Sequence, residues 1–326
     1  MKKFTLFLIF ALVFCFVTTN IYAQKTKIYK PIALENSAEL QLLVNRAADD
    51  TIIKFAAKGF KADNIAITLI DMRNPNQLKM AAFRGNEKIY PASVVKMFYL
   101  VTLHQLLENR KVKLTPEIQR ATRDMIVDSS NEATQFIVDV VTDTSSGAEL
   151  LPKELEKWGF KRNAVNRYFS ALQYQNINVC QKTFCEDAYG REQQFRGKDG
   201  VNRNKLNTNA TARLLAEIAL GKAVTAARSM QMMELMKRNW EGTSTDNDDQ
   251  GHGFTGIALK NLNLTGAKLW SKAGWTSTTR HDAAYIELPN GAKFVLVIFT
   301  TDFANEREII PNVARVVLEN LGGKNQ

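Results

Sequence analysis

"YPASVVKMFYL", Tyr90 to Leu100, sets a serine and a lysine three residues apart at the head of an apolar run. Residues at that spacing are neighbours on a helix surface, so the Lys96 amine can come up against the Ser93 hydroxyl. Serine is a weak nucleophile until a base removes its proton. A buried lysine can be that base, because desolvation disfavours its ammonium form. The same letters also describe a serine cap on a helix whose lysine runs its stem along apolar neighbours. Company elsewhere in the chain has to decide.

Working outward, Val94 to Leu107 is apolar on nearly every side and predicts a central, buried helix. On the N-terminal side, Leu40, Leu43, Ile52, Ile53 and Phe55 recur at helical spacing, and "NIAITLIDM", "RNPNQ" and "LKMAAFR" read as strand, turn, strand. On the C-terminal side the pattern is helical. Thr115 and Pro116 open one helix, Gly159 and Gly221 are expected to close two others, and "VTAARSMQMMELMKRN" adds another. "TSTDNDDQGHG" reads as a mobile polar loop. Strands return in "KLWSKAGW", "AAYIEL" and "AKFVLVIFT", the last two joined by a turn at Pro289, Asn290 and Gly291, before a final helix holding Pro311. The expected fold is α/β of the α+β type. A mainly antiparallel sheet comes from both ends of one catalytic domain, residues 24–326, and terminal helices flank it. Residues 24–90 and 265–326 form the sheet lobe and 91–264 an inserted helical lobe. Ser93 falls where the chain passes between lobes, a common place for a site.

Residues 1–23 carry two lysines, an apolar stretch and a small-residue end at Ala23, the pattern of a cleaved secretory signal. The mature chain is expected to be exported, without stable membrane insertion, and monomeric. The net charge of +10 falls by two with that segment. No nucleic-acid motif accompanies it, so a solvated basic surface is the reading. Cys180 and Cys185 in "CQKTFC" leave a disulfide open and lack the further ligands of a zinc site. No cofactor or metal is expected: phosphate loops, dinucleotide fingerprints and metal spacings are missing. His104, on the buried helix, reads as a satisfied core histidine.

Two further stretches matter. "MIVDSSNEAT" places Ser129 and Asn131 two apart at a break between helices, where a hydroxyl could relay a proton and an amide could hold a carbonyl. A plain helix cap is the alternative. "WSKAGWTSTTRHDAAYIEL" puts Lys272 and Gly274 on a strand, with glycine where another backbone would have to come close. Lys157 and Lys198 open similar triplets, but neither lies on a strand.

Taken in order, Ser-x-x-Lys at a helix start, Ser-x-Asn at a helix break and Lys-x-Gly on a late strand resemble the penicillin-recognising serine hydrolases, most closely the class A β-lactamases. The resemblance implies Ser93 as the acylated nucleophile, Lys96 as its proton acceptor and Ser129 as proton donor to the leaving nitrogen. It further implies Asn131 and Lys272 as substrate-orienting groups and the amides of Ser93 and Trp275 as the oxyanion hole. His281 and Asp282 resemble the family's strand-opening pair and read as structural or as a cleft wall. The substrate would be a small β-lactam or a cell-wall peptide. Three departures stand out. Ala273 replaces a hydroxyl residue that helps hold the substrate carboxylate, a task Arg280 could take. Ser130 replaces an aspartate. No Glu-x-x-Leu-Asn string supplies the water-activating carboxylate; Glu192 in "REQQFR" is the nearest match, with Glu186 or no equivalent left open. A D-alanyl peptidase or esterase, or a receptor that stays acylated, therefore stands beside the β-lactamase.

Overall fold

"KFVLVIFTT" is apolar at successive positions because both faces of this strand are covered. The computed structural model describes residues 29–322, so the expected signal segment lies outside it. The unit described below begins at Pro31. Its strands are β1 (Leu34–Asn36), β2 (Ile65–Asp71), β3 (Leu78–Phe83), β4 (Lys237–Arg238), β5 (Lys268–Trp275), β6 (Thr279–Glu287) and β7 (Lys293–Thr301). Its helices are α1 (Ala38–Phe55), α2 (Lys96–Glu108), α3 (Pro116–Ile126), α4 (Asn131–Thr142), α5 (Pro152–Arg162), α6 (Ala164–Ala171), α7 (Arg191–Arg196), α8 (Thr208–Ala219), α9 (Ala226–Met236), α10 (Thr255–Asn261) and α11 (Ile309–Leu321).

The strands form one sheet in the order β1-β3-β2-β7-β6-β5-β4. All pairings are antiparallel except β1 with β3. The sheet thus comes from both chain ends, as expected, with one addition: β4, from the middle of the chain, covers the start of β5 at Trp270 and Leu269. Beyond that pairing the outer edge of β5 carries no strand among the described residues.

Alternation along β7 divides its side chains between two cores. Phe294, Leu296 and Ile298 meet Leu40 and Val44 of α1 and Val313 and Val317 of α11. Val295, Val297 and Phe299 join Phe98 of α2 and Leu215 of α8 on the other side. Each fully buried side chain of this size contributes about 2 kcal/mol of transfer free energy. Helix ends follow the local rules: Ser37 Oγ accepts from Leu40 N at 3.3 Å and Thr115 Oγ from Ile118 N at 3.3 Å. Gly221 ends its helical stretch in the left-handed region at φ 71°.

Gly159 does not close a helix. α5 continues through it to Arg162, and the glycine is needed for packing instead, because a Cβ there would lie 2.8 Å from the Phe195 ring. Arg162 holds the helix end in place. Its guanidinium, fully buried, bonds Glu192 at 2.9 and 2.7 Å and stacks on Trp158 at 4.3 Å. Lys182 bonds Asp139 at 2.6 Å and Ser146 at 2.8 Å in the same cluster. Two cations and two carboxylates thus clamp the segment from α6 to α7.

Two histidines are buried against the sheet and helix. His281 on β6 accepts from Thr300 N at Nδ1 (3.1 Å) and donates from Nε2 to the Tyr90 carbonyl (2.8 Å), which makes it a neutral imidazole. His104 on α2 is buried but not satisfied as expected, since its Nδ1 has no partner among the described residues. Burial pushes both pKa values down to about 4, with Arg228 adding to the effect at His104. An unfolded histidine binds its proton near pH 6.5, so stability falls as pH drops from about 6.5 towards 4 and is unaffected by these rings above that window. The loss should approach about 3 kcal/mol per ring. Urea melts at pH 7 and pH 4.5 (roughly the ends of that window) should show it, and His104→Leu should recover the share of one ring. Equal pH dependence in wild type and His104→Leu would contradict the assignment.

Candidate active site

Ser93 lies in a 3-10 turn, Ala92–Val95, that leads directly into α2. Three contacts hold the turn. The His281 ring grips the Tyr90 carbonyl, Val94 N donates to Pro91 O at 3.1 Å, and Gly274 on β5 presses against the backbone. A Cβ on Gly274 would stand 2.6 Å from Ser93 N and 2.8 Å from Val94 N, so no other residue fits. Ala92 is held at φ 44° and Ser129 at φ 56°, both left-handed without being glycine. Such conformations cost on the order of 1–2 kcal/mol each and persist only where the surroundings impose them.

α3 ends at Ile126 and α4 begins at Asn131, capped by Ser130 Oγ on Ala133 N at 3.0 Å. Ser129 and Asn131 therefore leave the same short turn. Lys96 reaches it from α2. Its amine bonds the Ser129 carbonyl, Asn131 Oδ1 at 2.9 Å and Ser129 Oγ at 3.3 Å. Lys272, from β5, approaches Ser129 Oγ at 2.9 Å from the other side. One hydroxyl is thus shared by two amines, each with no solvent exposure. Burial, opposed by the Glu132 and Cys185 charges, lowers the Lys96 pKa to about 7. Lys272 is held well below the ordinary lysine value by burial and by its cationic neighbours Lys96 and Arg238. No hydrogen bond joins Lys96 to the Ser93 hydroxyl among the described residues, so the amine meets the Ser129 turn rather than the expected nucleophile.

Ser93, Ser129, Asn131, Gly274 and Trp275 line one cleft of about 950 Å³. On the open edge of β5, Ala273 N donates outward to Gln250 Oε1 at 3.2 Å. Two residues on, the period of a strand turns the Trp275 amide the same way. With the Ser93 amide against Gly274, two backbone donors can serve an oxyanion, a large contribution to acyl transfer where it is present.

Two expected residues stand elsewhere. Glu192, expected as a water-activating base, is buried in the Arg162 clamp, with Ser146 Oγ also on its Oε1 at 2.9 Å, and it does not line the cleft. A carboxylate removed from water needs such partners, and here they occupy both oxygens. Arg280, expected either on an exposed strand end or at the substrate carboxylate, is 2 % exposed. It bonds Asp248 and the Gly253 carbonyl, each at 2.7 Å, and lies over Phe254.

Several residues at the site carried no signal in one chain. Gln250, from the stretch read as a polar loop, is buried and accepts from Lys272 at 2.6 Å. Cys185 is exposed in the cleft, 3.5 Å from Asn131 Nδ2, whereas Cys180 is buried beside Asn178 and Asn202; both thiols are free. Among the described residues, no cluster of three or more His, Cys, Asp or Glu could hold a metal ion. No helix there is long and apolar enough to cross a membrane.

With this geometry in place, comparisons add the family. Solved structures share the fold at low identity. The beta-lactamase from Sphaerobacter thermophilus matches with TM-score 0.60 and 15% identity over 85% of this chain and 97% of its own. PBP-A matches with 0.59 and 16% over 90% and 99%, and TLA-3 extended-spectrum beta-lactamase with 0.61 and 13% over 86% and 100%. No curated protein matches by sequence. The family described as "Beta-lactamase enzyme family" matches residues 48–321, and the chain belongs to it.

Proposed function

We propose that this protein is an exported serine acyl hydrolase that forms an acyl-enzyme on Ser93, with the amide of a β-lactam as its leading acyl donor. The observation that carries this reading is the Ser129 hydroxyl held between two buried amines in the cleft that also contains Ser93. Near neutral pH a fraction of Lys96 is unprotonated and can accept the Ser93 proton after a side-chain rotation. Ser93 Oγ bonds to the acyl carbon, and the former carbonyl oxygen takes up negative charge against the Ser93 and Trp275 amides. As the carbon–nitrogen bond breaks, Ser129 donates its proton to the nitrogen and is reprotonated from Lys96. Asn131, bonded to Lys96, is placed to orient the acyl side. Water then cleaves the ester and restores Ser93.

A second reading has its own support. No carboxylate bonds Lys96 or Ser93 among the described residues, and Glu192 is enclosed by cations. Slow release of a penicillin-derived acyl group follows, the behaviour of a D-alanyl peptidase or a receptor that stays acylated, with an esterase acting on another donor beside them. Export rests on residues 1–23, with cleavage near Ala23, and intact mass of the secreted chain checks it.

Intact-mass spectra after incubation with a penicillin should show one adduct that Ser93→Ala abolishes; an undiminished adduct in that variant would remove Ser93 from the chemistry. Since the active form is the neutral amine, acylation should speed up as pH rises through about 7. A rate flat from pH 6 to 8, roughly a unit either side of that value, would count against Lys96. Glu192→Gln should leave Arg162 and Lys182 short of charge and lose about 3–5 kcal/mol of stability. The adduct lifetime should stay unchanged in whatever folds. A stable Glu192→Gln protein that traps the acyl group would restore Glu192 as the base.

A further inference from the structure

Resting on the acyl-hydrolase reading, we propose that the site prefers acyl donors with no ionised carboxylate beside the scissile bond, and is acylated more slowly by donors that carry one. The cations nearest the reacting groups are already committed. Lys272 has three acceptors or partners around its amine: Ser129 Oγ at 2.9 Å, Gln250 Oε1 at 2.6 Å and its neighbour's carbonyl, Ala273 O, at 2.8 Å. Even a fully protonated amine has only three hydrogens, so nothing is left for a substrate. The amine also has no exposed surface, with the Gln250 carboxamide over it. At the next position, Ala273 offers no hydroxyl.

Arg280 is withheld by burial rather than by a full set of partners. Both terminal nitrogens are taken, by Asp248 and Gly253, and its remaining Nε is buried without a partner. Asp248 also binds Arg307 through both oxygens, at 3.1 and 2.9 Å, so one carboxylate on the cleft wall holds two guanidinium groups out of reach.

What remains facing the cleft is mainly negative. Asp128 is paired with Arg123 at 2.6 Å, but Glu186 and Asp246 are exposed and carry no ion pair among the described residues, and Asp249 Oδ1 accepts from the Gly251 and His252 amides and meets the His252 ring at 2.6 Å. Among the described residues that line the cleft, Arg203 is the single cation, stacked 4.2 Å from the Tyr90 ring. A carboxylate entering here would shed water, find no free buried cation and meet like charge, each of which weakens binding. A neutral or cationic group on the same side meets none of these costs.

The test uses a penicillin, its methyl ester and its dimethylaminoethyl ester. Second-order rates of Ser93 adduct formation are read by intact mass at low salt and divided by each compound's rate of alkaline hydrolysis. Both esters should exceed the free acid by about tenfold, the scale of one unit-charge interaction at a partly wet site. High salt should narrow the gap, as should Glu186→Gln with Asp246→Asn, two exposed changes that spare the core. Asp248→Asn, by releasing Arg280 and Arg307, should raise the free-acid rate selectively. A free acid that acylates Ser93 as fast as its esters, or faster, would overturn the charge selection while leaving the acyl-hydrolase reading intact. If no compound forms an adduct that Ser93→Ala removes, both fall together.

Discussion

Two lysine amines withdrawn from water onto one serine hydroxyl are the constraint on which the rest of this structure turns. Lys96 and Lys272 come from different elements, α2 and β5, and both meet Ser129 Oγ. Full burial of two cations a few ångströms apart is unfavourable unless at least one gives up its proton. The lowered pKa of each follows from that proximity and from desolvation. The fold thus holds an amine able to accept a proton near neutral pH, which serine chemistry requires.

Holding that arrangement takes support at a distance. The neutral His281 ring ties the Tyr90 carbonyl to β7 through Thr300, and so fixes the turn that presents Ser93. Gly274 lets β5 touch the same turn. Left-handed conformations at Ala92 and Ser129 are imposed at both sides of the cleft. On the far side, the Arg162 clamp pins the segment that brings Phe184, Cys185 and Glu186 to the cleft. These supports are long-range contacts, and the strain they hold is local to the chemistry.

The fold was legible because its signals are periodic. Apolar residues on all sides of Val94 to Leu107 demanded a buried helix, and β5, β6 and β7 could be read from alternation and turn residues. The Ser-x-x-Lys, Ser-x-Asn and Lys-x-Gly spacings converge on one cleft, since Ser93, Ser129, Asn131 and Gly274 line it and both lysines reach Ser129 Oγ. Illegible parts depend on pairings across long sequence distances. Nothing in "REQQFR" says that Glu192 answers Arg162, 30 residues away. Nor does "TSTDNDDQGHG" reveal that Gln250 caps Lys272 or that Asp248 claims Arg280. Gly159 misled for a related reason, because a glycine required by a ring from α7 has the same letter as one that ends a helix.

The most direct measurement is the titration of Lys96 itself, by NMR of protein carrying 13C at the lysine ε-carbons, with the Lys96 resonance assigned by its loss in Lys96→Arg. This resonance should titrate near pH 7, well separated from the surface lysines. A Lys96 resonance that stays protonated until about pH 10 alongside the surface lysines would contradict that expectation, because a fully charged amine there could not take the serine proton.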